Sequence, residues 1–155
     1  MGQFFAQVER DLKLVVRQMA WLNATPKPDD RTKRAQIGAE VAQVSRLARF
    51  KADKIKPQMP PNPLPHIVDR LVEIGLNEQA GMGVAPLSWS TIDAWTRLTG
   101  IDLMPWEVRL IRSLSVAYLS EGSRAESENC PPPWRGTWTA RNLEVEQSRL
   151  EELLG

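Results

Sequence analysis

Two residues of this chain could do nucleophilic chemistry, Cys130 and His66, and each is the only one of its type. A thiol and an imidazole work as nucleophile and base when a third group orients the base. Cys130 precedes the run CPPPW in a polar tract, and His66 opens a helical pattern behind a run of prolines. Nothing in the sequence supplies the third member, so the pair reads as unrelated surface residues and no catalytic residue is assigned. A zinc site needs about four Cys or His ligands, so no metal site is expected. The GMG at 81–83 has neither the preceding strand nor the following lysine of a phosphate loop, so no cofactor site is expected. A single cysteine excludes a disulfide within the chain, in keeping with a reducing cytoplasm.

With chemistry set aside, the elements carry the information. The chain has 155 residues, 42% apolar and 25% charged, the composition of a globular protein of about one domain. No run approaches the roughly 18 apolar residues of a membrane span, so no membrane partner is expected. The start MGQFFAQVERDL has no basic region, apolar run or cleavage site, so a secretory signal is not expected. Ala6 stands where a myristoylation motif wants Ser or Thr. Net charge is near zero but unevenly placed. Residues 1–57 hold 12 Lys/Arg against 6 Asp/Glu, and the remainder 8 Arg against 13 Asp/Glu. Such polarity suggests modules with different partners, or head-to-tail attraction between copies.

Periodicity predicts an all-α fold. Phe5, Val8, Leu12, Val15, Met19 and Leu22 step by three and four, a seam of about three heptads. After ATPKPDD a second helix is expected from about Asp29 to Asp53, with Ile37, Val41, Val44, Leu47 or Ala48, and Phe50 on one face. Residues 1–56 therefore read as a basic antiparallel helical hairpin. Either it docks on the rest of the chain or it pairs with another molecule. Its cations, Arg46 and Arg49 among them, read as a solvated face, since no aromatics are interleaved for stacking on bases. Residues 57–65 form a Pro-rich linker. Residues 66–122 read as a small Trp-containing helical bundle, and residues 123–155 as a polar tract followed by an acidic C-terminal helix.

Within the bundle, HIVDRLVEIGLNEQ reads as a helix with Pro65 at its first position, and AGMGVAP as loop. Ser88 reads as an N-cap, with Leu87 and Ile92 as a hydrophobic staple, and Gly100 as a left-handed C-cap. Pro105-Trp106-Glu107 starts the next helix, with Met104 where a capping residue belongs and Leu103 and Val108 as a second staple. Trp89, Trp95 and Trp106 are expected inside, because burying each removes roughly 150–250 Å² from water. The tail helix carries Leu143, Leu150 and Leu154 on one stripe and looks built to dock in a groove.

The block PLSWSTIDAWTRLTGIDLMPWEVRLIRSLSVAYLSE resembles a pattern in tail assembly chaperones of long-tailed bacteriophages. It carries Trp89, Ile92, Ala94, Trp95, Leu98, Thr99, Gly100, Pro105, Trp106, Glu107, Tyr118 and Leu119, and the resemblance runs mainly over residues 65–134. Thr91 and Met104 depart from the pattern, where Glu and Thr are usual, so both capping boxes are incomplete. Residues 1–57 are not covered. The resemblance implies a non-catalytic helical protein of the host cytoplasm that binds the tape measure protein, and in a longer form the tail tube protein. Candidate partner-binding residues are Phe5, Leu12, Met19, Leu22, Trp134, Trp138, Leu143, Leu150 and Leu154, with self-association through the hairpin as a second use of that seam. A DNA-binding helix-turn-helix protein, such as a small terminase subunit or regulator, is the other reading, along with a helical adaptor or virion component. Against DNA, the would-be recognition helix holds only Arg109 and Arg112, opposed by Glu107 and Glu121, so nucleic acid is not an expected partner.

Overall fold

The heptad seam at the N-terminus forms a single long helix, α1 (Gly2–Asn23), in the computed structural model, which describes residues 2–28, 43–136 and 140–154. The other described elements are α2 (Arg46–Ala52), α3 (Pro65–Ile74), strands β1 (Glu78–Ala80) and β2 (Gly83–Ala85), α4 (Trp89–Thr99), α5 (Pro105–Arg124) and α6 (Ala140–Leu154). The fold is essentially all-α, with one small antiparallel hairpin as its only sheet among the described residues.

The centre of the molecule is the packing of α1 on α5. Contacts advance together along both helices: the Phe5 ring meets Trp106, Ser113 Oγ donates to Glu9 at 2.8 Å, and Arg17 pairs with Glu121 at 3.4 Å. The two helices therefore run parallel, although roughly a hundred residues separate their partners. Val8, Leu12, Val15 and Val16 of α1 fill the core with Ile67, Val68 and Leu71 of α3, Leu87, Ile92 of α4, and Ile111 and Leu114 of α5. The seam is thus covered from within the chain. Helix α2 adds to the C-terminal end of α1, where Phe50 lies 6.5 Å from Trp21 between ring centroids.

Three expectations about elements need correction. The helix expected from Asp29 to Asp53 is not one run. Residues 43–45 are non-helical, and α2 starts afresh behind Ser45, whose Oγ accepts from Ala48 N–H at 3.1 Å. A serine that caps has ended any helix before it. Residues 29–42, including Ile37 and Val41, lie outside the described residues. Helix α3 stops at Ile74, not near Gln79, because Gly75 takes φ 127° and Leu76 follows at φ 67°. The stretch read as loop is a hairpin: Gln79 pairs with Val84 and Ala80 with Gly83. Its two-residue connection puts Gly81, at φ 62°, in the first loop position, where a tight hairpin wants positive φ.

The tryptophans are corrected as well. The core is aliphatic, and Trp89 and Trp106 are 53% and 38% exposed, with Trp95 half-buried. The start of α5 lies beside Phe5 of α1, and the start of α4 lies beside Arg112 of α5. The inward direction there is taken by Ile92 and Ile111, both nearly inaccessible.

Caps behave as the local sequence requires, with one substitution in space. Ser88 Oγ accepts from Thr91 N–H at 3.1 Å, and Gly100 closes α4 at φ 71° with its N–H on Thr96 O at 2.9 Å. The box partner missing at Thr91 is supplied by Glu78 of β1, whose carboxylate accepts from Ser88 N–H and Ser88 Oγ. At α5 only the Glu107 half of the box is made, its Oε1 accepting from Met104 N–H at 3.0 Å. Its other oxygen pairs with Arg70 of α3 at 2.8 Å.

The bond from Ser88 N–H holds the Glu78 carboxyl below the ordinary carboxylate range. A depressed folded-state pKa stabilises above the unfolded value and is lost as pH falls through the folded one. Glu78→Gln should therefore unfold at lower urea than the parent at neutral pH. The gap in midpoint should close on acidification through the Glu78 titration, and Thr91→Glu should restore the neutral-pH midpoint by rebuilding the box locally. A gap that is flat with pH would show that the carboxylate charge plays no part.

Candidate partner-binding surfaces

Two surface features present apolar side chains beside a recess. The first is the region around the starts of α1 and α5 and the cleft between α4 and α5. Phe4 packs edge-on against Phe5 at 5.8 Å between centroids, and Phe5 against Trp106 at 5.9 Å. Met104 and Trp89 are exposed at the starts of the neighbouring helices. Between α4 and α5 lies a cleft of about 440 Å³, with Ile92, Leu103 and Val108 as its floor and Trp89, Asp102 and Arg109 on its margins. Trp89 is held by Arg112, whose guanidinium lies 4.9 Å from the ring centroid while its Nε donates to Leu87 O at 3.1 Å. A planar cation stacked on an indole and tied to backbone fixes the ring in place. The result is one indole held in a set position rather than a loose side chain.

The second place is a groove of about 350 Å³ at the far end of α1, lined by Trp21, Phe50, Ile55 and Trp134, with Val145 of α6 on its wall. Polar ties build it. Gln18, buried on α1, donates to Gln58 O at 3.4 Å and accepts from Trp134 N–H at 3.2 Å. Trp21 Nε1 donates to Cys130 O at 2.8 Å. Gly136 lies so close to Trp134 that a Cβ there would sit 2.7 Å from ring atom Cη2. Arg46 is buried, donates to Trp21 O at 3.0 Å and Ser127 O at 2.9 Å, and covers the Trp21 ring at 4.7 Å. Burial pulls its pKa down from the ordinary arginine value. Arg46 thus joins α1, α2 and the segment after α5, and the solvated role expected for it is corrected: its guanidinium is committed to carbonyl oxygens.

The residues singled out from sequence fall into three groups. Leu12 and Leu22 are buried, and Met19 is half-buried against the core, so the middle of the α1 seam serves the fold. Phe5 is exposed beside Trp106, and Trp134 forms a wall of the groove. Leu143, Leu150 and Leu154 are exposed along α6. Trp138 lies outside the described residues. Sequence reasoning missed Phe4, Trp89 and Trp106 as surface residues. The available signal was their place in first turns, where a large side chain has less neighbouring structure to cover it.

No arrangement for chemistry emerges from the described residues. Cys130 Sγ contacts Pro131 O at 3.6 Å, and His66 is exposed at the start of α3. No group of three or more His, Cys, Asp or Glu among them could hold a metal ion. No helix there is long and apolar enough to cross a membrane.

Residues 49–120 match the family model of phage tail assembly chaperones. The matched segment is slightly under half of the chain, and begins within α2 and ends within α5. It reaches further upstream than the resemblance read over 65–134, taking in the Pro-rich stretch, and stops before CPPPW. No curated protein and no solved structure matches. The match supports a tail assembly chaperone role and points to a non-catalytic protein that binds phage tail proteins. The chaperone segment contains α3, α4 and most of α5, yet the apolar face of α5 is closed by α1, which precedes it.

Proposed function

We propose that this protein binds the tape measure protein in the host cytoplasm during tail morphogenesis, shielding its apolar helices, with tail tube subunits as further partners. The observation that carries this reading is the exposed aromatic cluster of Phe4, Phe5 and Trp106, whose Trp106 lies in the segment that matches the chaperone family, with exposed Trp89 of the same segment beside the cleft between α4 and α5. Exposed aromatic rings and a small apolar-floored cleft are suited to the side chains of an amphipathic helix. An exposed apolar patch of this kind ordinarily marks a binding site. The DNA-binding reading loses support from Arg112, one of two arginines on the would-be recognition helix, because it is spent on Trp89 and Leu87 O.

The test is co-expression with the tape measure protein encoded by the same phage, scoring its soluble fraction. The parent chain is expected to raise that fraction, and the double substitution Phe5→Ser with Trp106→Ser to abolish the gain while thermal unfolding remains cooperative. Equal rescue by both chains would move the contact away from the aromatic end. Duplex DNA binding that weakens steeply with salt would overturn the chaperone reading in favour of a nucleic-acid one.

A further inference from the structure

Among the described residues nothing covers the outer face of α6. Leu143, Leu150 and Leu154 recur at intervals of seven and four, so they share one side of the helix, and all three are more than half exposed. Val145 lies on the other side and faces the groove, and Arg149 pairs with Asp53 just after α2. A helix this short is marginal unless an apolar face is buried. Here the polar side is seated and the leucine side is left in water.

Charge indicates what covers it. Helix α6 carries four glutamates against two arginines, and Glu144, Glu146 and Glu151 flank the leucine face. Pairing two such faces with each other would bring acid onto acid. The groove beneath has the opposite character. Its floor is Trp21, Phe50, Ile55 and Trp134, and its rim carries Lys56 and Arg135, with Glu146 and the Asp53-paired Arg149 on the α6 wall, so cations are in excess there. Lys51 and Lys54 stand exposed nearby, so this end of the molecule is basic, as residues 1–57 are as a whole. An apolar floor with a cationic rim complements an acidic helix with a leucine face. The leucines of a chain's own α6 point away from its groove, so a second copy must bring them.

We propose that the leucine face of α6 from one copy docks in the basic groove of another, joining tail assembly chaperone molecules head to tail or reciprocally. This goes beyond binding of tail proteins and uses a surface at the opposite end of α1 from the aromatic cluster. Attraction between a basic and an acidic end makes the association sensitive to salt.

The experiment measures the mass of the full chain by sedimentation or light scattering, with no partner present. At low salt the parent chain is expected as a dimer or larger species that dissociates as salt is raised. A helix variant, Leu150→Gln with Leu154→Gln, and a groove variant, Lys56→Glu with Arg135→Glu, are each expected to be monomeric with an unchanged helical circular dichroism signal. Loss of two buried leucines should weaken association by about tenfold or more. Mixed in equal amounts, the two variants should form a 1:1 heterodimer, because one retains the helix and the other the groove. A parent chain that is monomeric at low salt, variants that still associate, or a mixture that does not would each overturn the proposal. These outcomes do not depend on the tape measure protein.

Discussion

A chain lacking residues 1–28 is expected to lose cooperative unfolding, although the deletion leaves the whole of the chaperone-matched segment in place. Val8, Leu12, Val15 and Val16 are all buried against α3 and α5. At about 1.5–3 kcal/mol for each buried aliphatic side chain, their removal withdraws roughly 6–12 kcal/mol, an upper estimate because unfolded chains already bury some surface. That equals the whole net stability of an ordinary domain, about 5–15 kcal/mol. Polar losses add to it: Glu121, buried on α5, loses Arg17 and keeps only Arg124 at 3.5 Å. Urea titration followed by near-ultraviolet circular dichroism reads the outcome, expected as a broad, featureless decline. Addition of a synthetic peptide of residues 1–28 should restore a sigmoidal transition. A truncated chain that unfolds sharply by itself would make α1 an accessory rather than part of the core.

The second large effect is expected at Ser115, which is fully buried on α5. Its hydroxyl donates to Leu76 O at 2.6 Å and accepts from Leu87 N–H at 2.9 Å, so one oxygen ties down both ends of the β1–β2 segment. Leu76 is a non-glycine residue at φ 67°, a conformation that persists only when its surroundings hold it. Ser115→Ala strands a donor and an acceptor away from water. At about 1–3 kcal/mol for each buried unsatisfied group, the loss should be roughly 2–6 kcal/mol. Ser120→Ala on the exposed side of the same helix is the control and should change stability by less than about 0.5 kcal/mol. Hydrogen exchange of the Leu87 amide should accelerate in Ser115→Ala and not in the control. Equal effects of the two substitutions would show that the loop is held by apolar packing instead.

How far the fold is legible in the sequence depends on the distance over which each cause acts. Ser88, Gly100, Pro65 and Pro105 mark helix ends correctly because capping is settled within a few residues. The seam of α1 is equally plain, but nothing in its period names α5 as its partner. A stripe states only that some apolar face must cover it. The tryptophans mislead for a different reason: size predicts burial, while location in the bundle decides it, and Ile92 and Ile111 already occupy the interior. Glu78 completing the cap at Ser88, and Ser115 bridging Leu76 and Leu87, join elements that only the folded chain brings together. The same holds for the groove. Leu143, Leu150 and Leu154 show an apolar stripe on their own, whereas Trp21, Phe50, Ile55 and Trp134 come together through Gln18 and Arg46.

The parallel pairing of α1 with α5 also sets a schedule on the ribosome. Glu9 and Ser113, like Arg17 and Glu121, are 104 residues apart in the chain. At about 5–20 residues per second, the first helix must wait roughly 5–20 s after its own synthesis before its mate has been made. During that interval its leucine and valine edge is bare. Helper factors at the exit tunnel, or a slow local translation rate, would act on this interval and not on the finished molecule.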